Sequence, residues 1–170
     1  MNDFYGLPID TVESQHLKID FLTSAGPRIV GLYFKDLNLM AQVPQLKIDT
    51  PNGEFSFYGG HRFWIAPEKL STTYFPDDKP PVITCINSLS VQIREQVIPT
   101  IGIEKSIMIT LSEDQPSIRV DHTISNHGDN SIHLAPWGLT QLIMDGIAIL
   151  PQPIKPADDA GFLPNRNLIL

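Results

Sequence analysis

Cysteine is nearly absent. Cys85 is the only one, set in the apolar run VITCI, so no disulfide can form within the chain. A buried small hydrophobe is the role expected of it. Positive charge is also short: 12 Lys and Arg stand against 19 Asp and Glu, for a net charge of −7 and a pI near 5.0. That balance excludes the basic face needed by a nucleic-acid binder or by a protein docked on anionic lipid, so neither partner is expected. No run approaches the ~20 apolar residues of a bilayer-spanning helix. The start, MNDFYGLPID, has no basic segment followed by an apolar one, as a signal peptide would. A cytoplasmic location is the default expectation.

Chemical motifs are missing as well. The five histidines, His16, His61, His122, His127 and His133, show no HExxH spacing, and no cysteine pair accompanies them. His122 and His133 could approach across the turn between them, but two histidines do not close a site. Neither a metal nor another cofactor is expected. The GxSxG elbow and the glycine-rich phosphate loops are absent. The pairs Asp77-Asp78 and Asp158-Asp159 fall in proline-rich stretches and read as solvated rather than as glycosidase carboxylates.

Helical periodicity is absent too, and what replaces it is informative. Fifteen prolines and 11 glycines punctuate short β-rich runs, the pattern of an all-β sandwich or barrel. In LKIDFLT (17–23), Leu17, Ile19 and Phe21 share a face. RIVGLYF (28–34) follows a Gly26-Pro27 turn. LSVQIREQV (89–97) points Val91, Ile93 and Val97 inward. IGIEKSIMITL (101–111) carries Ile101, Ile103, Ile107, Ile109 and Leu111, and SIRVDHTIS (117–125) alternates Ile118, Val120, His122 and Ile124. Such alternation marks strands with one buried and one wet face. SEDQPS (112–117) reads as a turn between two strands and NHGDNS (126–131) as a hairpin turn; PDDKPP (76–81) and PQPIKPADDAG (151–161) read as connectors. A length of 170 residues with 42% apolar content suits one domain, 1–170. The apolar ending FLPNRNLIL (162–170) suggests a sandwich continuing beyond it. A sandwich lacking partner strands would expose an unpaired edge and is expected to dimerise.

Two stretches carry candidate chemistry. YGGHRFWIAPE (58–68) gathers two glycines, a histidine, an arginine and a tryptophan. If 61–66 is extended, His61, Phe63 and Ile65 share one face and Arg62, Trp64 and Ala66 the other. Arginine beside tryptophan suits sugar recognition, because a guanidinium donates to hydroxyls and an indole stacks on the C–H face. Lys69 could add a phosphate contact. The plainer reading has Trp64 in the core and Arg62 paired with an acid. SIHLAPWGLTQL (131–142) holds His133, Trp137, Thr140 and Gln141 in a strand or strand corner. Trp137 there is either a second stacking platform or core.

In this order, GPRIVGLYF (26–34), YGGHRFWIAPE and SIRVDHTISNHGDNSIHLAPWGLTQL (117–142) resemble the galactose mutarotase-like superfamily, over most of residues 16–150. The nearest pattern is an uncharacterised branch with GGHR-x-W and PWGLTQ-type segments. The resemblance implies an antiparallel β-supersandwich, whole or as its N-terminal portion, with a carbohydrate-facing cleft. Residues 117–142 would form its paired strands with an Asn-containing turn. It implies aldose 1-epimerase or hexose-6-phosphate 1-epimerase ancestry, in which a histidine acid and a glutamate base open and reclose the sugar ring. Arg62 matches the family's cleft arginine, and Pro136 and Trp137 fall on its His-Pro-aromatic motif. The motif's histidine position is Ala135; His133, two residues earlier, is the candidate acid. No residue after Asp159 supplies the late glutamate. The expectation is therefore a carbohydrate-binding protein whose ligand is a sugar or sugar phosphate, held by His61, Arg62, Trp64 and Trp137. The alternatives are an epimerase using His133, and a non-binding structural module.

Overall fold

The computed structural model describes residues 3–147 and 149. Among them there is no helix, so none is long and apolar enough to cross a membrane. The chain begins with β1 (Asp3–Phe4), β2 (Leu7–Glu13), β3 (Leu17–Leu22), β4 (Arg28–Phe34) and the short β5 (Leu37–Asn38). It continues with β6 (Gln42–Thr50), β7 (Gly53–Gly59) and β8 (His61–Ala66). Then come β9 (Val82–Asn87), β10 (Ser90–Arg94), β11 (Ile103–Leu111), β12 (Ile118–Asn126) and β13 (Ala135–Thr140).

These strands form three antiparallel sheets. A seven-stranded sheet runs β1-β2-β3-β4-β8-β13, with β5 also on β4; a four-stranded sheet runs β12-β11-β10-β9; β6 and β7 form a separate hairpin. The alternation seen in the sequence places the core. Ile19, Phe21, Ile29 and Phe63 from the large sheet meet Val91, Ile93, Ile107 and Ile109 from the small one in a single buried cluster. Each such apolar side chain contributes roughly 1.5–3 kcal/mol when taken from water. The result is an all-β, sandwich-like architecture. In β12, Ile118, Val120 and Ile124 pack on the cluster from its margin, as the period-two pattern requires.

Three sequence expectations change. NHGDNS does not close a hairpin: β12 pairs with β11 in the small sheet and β13 pairs with β8 in the large one, so residues 127–134 carry the chain from one sheet to the other. The expected pairing of strands within 117–142 is thus replaced by a crossover. Cys85 is exposed, not buried. It stands opposite Val91, but on β9, the edge strand, where the large sheet no longer covers it. Val97 is exposed too, because β10 ends at Arg94 and the alternation ends with it. By contrast SEDQPS does join the paired strands β11 and β12, and PDDKPP lies in the connector from β8 to β9. The connector expected at 151–161 and the apolar run 162–170 lie outside the described residues.

Candidate functional site

The stretch YGGHRFW builds its site from a sharp corner. β7 ends at Gly59 and β8 starts at His61, so the chain leaves the hairpin and enters the large sheet within two residues. Gly59 and Gly60 take φ of +90° and +69°, the region in which a Cβ is strained. Space forbids one as well: a Cβ on Gly60 would lie 2.0 Å from the Ile29 carbonyl oxygen, and one on Gly59 2.2 Å from that of Ala41. The corner folds the hairpin back over the face of the sheet that looks away from the sandwich core.

That fold creates an aromatic layer around two arginines. Arg28 on β4 and Arg62 on β8 are partners in register, and both are buried. Arg28 is satisfied. Its Nη1 donates to the carbonyls of Ser56 (3.0 Å) and Phe57 (2.7 Å), and its Nη2 pairs with Asp77. Arg62, only 1% exposed, has no acceptor for Nε, Nη1 or Nη2. Its guanidinium instead lies 5.4, 5.2 and 5.0 Å from the ring centres of Phe55, Phe57 and Trp64. Burial, and then the neighbouring Arg28, bring its pKa down to about 9. A buried unpaired charge costs several kcal/mol, which cation–π contacts worth roughly 0.5–2 kcal/mol each offset in part.

Trp137 stands opposite Trp64 in register on β13, with ring centres 5.2 Å apart in an edge-to-face arrangement. Tyr74 joins from the β8–β9 connector, 4.8 Å from Trp64, its hydroxyl bonded to the Glu68 carboxylate. Trp64 is buried, while Trp137, Tyr74 and Phe57 are half-buried. Arg62, Trp64 and Trp137 therefore share one face, as period-two geometry predicts for β8. The plainer reading of Arg62, an arginine paired with an acid, applies to Arg28 and not to Arg62.

His61 is on the opposite face of β8. Its Nδ1 lies 2.8 Å from Thr140 Oγ1 and its Nε2 lies 2.8 Å from His122 Nε2. Burial, then the adjoining His122 and Arg62, lower its pKa to about 4; burial lowers that of His122 as well. The two rings are thus neutral near pH 7, with one Nε2 donating to the other. His122 meets His61 across the two sheets rather than His133 across a turn. His133 is exposed and precedes β13 instead of lying in it, so it does not share a strand face with Ala135. The five sequence-selected residues do not line one cleft. Arg62, Trp64 and Trp137 cluster on one face, His61 lies on the other, and His133 is exposed in the crossover.

Sequence reasoning missed Arg28, Asp77, Phe55, Phe57 and Tyr74. The hairpin carrying the two phenylalanines had a readable signal: Asn52-Gly53 followed by alternating Phe55 and Phe57. No protein-family model, no curated protein and no solved structure matches this chain.

Proposed function

We propose that this chain is a carbohydrate-recognition protein whose ligand, a sugar or sugar phosphate, docks on the Arg62–Trp64–Trp137 face. The observation that carries the reading is the buried guanidinium of Arg62, which has aromatic rings around it and no acceptor. A protein spends stability on such a group when a ligand supplies the missing acceptors. Half-buried Trp137 offers the stacking surface at the outer strand, and movement of Tyr74 opens the way to the guanidinium. Sugar hydroxyls, or a phosphate, then accept from Nη1 and Nη2. The reading is of binding and not of catalysis, since His133 is exposed and lies in the crossover before β13 rather than in a strand.

Tryptophan fluorescence and calorimetry with neutral hexoses, hexose phosphates and uronates provide the test. At least one class should bind with a fluorescence change, and Arg62→Met should weaken that binding roughly tenfold or more. Silence from every class at millimolar concentration, or binding indifferent to Arg62→Met, overturns the proposal.

A further inference from the structure

A cavity of about 440 Å³ opens between the β1–β2 turn, strands β3 and β4 and the start of β6, within the size range of small-molecule sites. Its lining holds two carboxylates, Asp3 and Asp20, the aromatic rings of Phe4, Tyr5 and Tyr33, and no basic side chain. We propose that this cavity binds a small organic ammonium ion, primary or quaternary, held by the two carboxylates and by the faces of Tyr5 and Tyr33. The inference does not rest on the sugar reading.

Local backbone geometry builds the walls. Tyr5 and Gly6 take φ of +52° and +85° in the two-residue turn between β1 and β2, and the Gly6 amide donates to Asp3 Oδ1 at 2.8 Å. The turn thereby fixes Tyr5 at the rim, 62% exposed, where its hydroxyl lies 3.3 Å from Gln42 Oε1 and its ring meets Phe4 edge to face. On the other side, Gly31 stands opposite Asp20 in register. A Cβ on Gly31 would lie 2.6 Å from Tyr33 Cε2 and 3.2 Å from Asp20 Cβ. The glycine therefore lets the Tyr33 ring fold back beside the Asp20 carboxylate.

Asp20 supplies the charge. It is 5% exposed, and Thr11 Oγ1 donates to its Oδ1 at 2.8 Å, which fixes the carboxylate in place. Burial, then the charge of Asp20, push the pKa of Tyr33 up, so that charge is felt at the cavity wall. The molecule already shows what this corner attracts. Lys18 Nζ lies 4.0 Å from the centre of the Tyr33 ring and 3.9 Å from Asp20 Oδ2, too far for a hydrogen bond. An ammonium thus settles on the aromatic ring and beside the carboxylate, as cation–π attraction and Coulomb attraction require. Lys18 is not part of the cavity lining, so a ligand's ammonium meets the same two partners from the open side. The overall charge of −7 favours a cationic ligand as well.

Calorimetric titration of the full chain with choline and with ethanolamine tests the site, each against its neutral counterpart, 3,3-dimethylbutanol and ethylene glycol. At least one ammonium should bind, roughly tenfold or more tighter than its neutral counterpart. Asp20→Asn, which keeps the shape and removes the charge, should weaken binding roughly tenfold. Tyr5→Ala, a change at an exposed turn residue, should weaken it roughly 2–30-fold, the range of one cation–π contact, while the circular dichroism stays that of the wild type. Lys18→Met removes the competing ammonium and should tighten binding. Arg62→Met should leave it unchanged, which separates this site from the sugar face. The inference is overturned if neither ammonium binds below ~10 mM, if the neutral counterparts bind as well, or if affinity survives both Asp20→Asn and Tyr5→Ala.

Discussion

Arg28 and Arg62 stand directly opposite each other on adjacent strands, both buried, and only Arg28 has an acid and backbone carbonyls to bond. Like charges facing across a sheet oppose folding. The two residues should therefore respond in opposite directions to the same substitution. Arg62→Met removes an unpaired buried charge and should raise stability by ~1 kcal/mol or more. Arg28→Met strands Asp77 and two carbonyls, and should cost about 3–5 kcal/mol. Urea midpoints decide the matter: equal losses for both variants would contradict this account of Arg62.

The paired tryptophans should separate by burial. Trp64→Ala empties the centre of the aromatic layer and should cost ~3–5 kcal/mol. Trp137→Ala, at the half-buried outer strand, should cost about half that. A double-mutant cycle should return a coupling of ~0.5–1.5 kcal/mol for their edge-to-face contact. Additive losses would show that the contact contributes little beyond burial.

Gly60→Ala tests the corner. Its Cβ would meet the Ile29 carbonyl at 2.0 Å, against backbone that has no room to yield. The same residue's amide donates to the Ala41 carbonyl, so the chain cannot swing away without losing that bond. The variant should lose more than ~3 kcal/mol or fail to fold. Gly146→Ala, where nothing lies within 4 Å but φ is +97°, isolates the dihedral penalty and should cost ~1 kcal/mol. Similar stability for the two variants would count against the steric argument.

Glu95 should set a pH dependence. It is 8% exposed, with Lys105 Nζ 3.0 Å from Oε2 but not aligned as a hydrogen bond. Burial raises its pKa from 4.5 to about 7; Asp77 adds to the rise, while Lys105 and Arg28 oppose it. The native state thus keeps a proton that the unfolded chain has released, and the contribution of Glu95 to stability falls as pH rises from about 4.5 to 7, then levels off. The fall should be of order 1–3 kcal/mol. Stability measured against pH for wild type and Glu95→Gln should give a difference curve with that slope; a flat difference curve would remove Glu95 as its source.

The readable parts of this fold are those with local signals. Strands β3, β4, β11 and β12 follow from period-two alternation of Ile19 with Phe21, Ile107 with Ile109 and Val120 with Ile124. The opposite-face split of His61 and Arg62 follows from the same rule. What stayed hidden depends on contacts distant in sequence. Asp77 finds Arg28 from a proline-rich connector, where neighbouring acids look solvated. His122 finds His61 across two sheets, and no spacing announces it. The turn at 126–131 carries hairpin chemistry, yet the next strand joins the other sheet because β8 offers Trp64 and Phe63 as partners for Trp137 and Gly138. Cys85 sits in an apolar run, but a run does not reveal that its strand lies at the edge.

The corner at Gly59 and Gly60 makes residues 53–66 one bent ribbon held by two sheets at once. Arg28 grips the hairpin half through Ser56 and Phe57, while β4 and β13 flank the other half. Neither half can loosen alone. Lifting the hairpin pulls on the strand that seats His61, so the two faces of β8 share a single mechanical element and what happens on one is felt on the other.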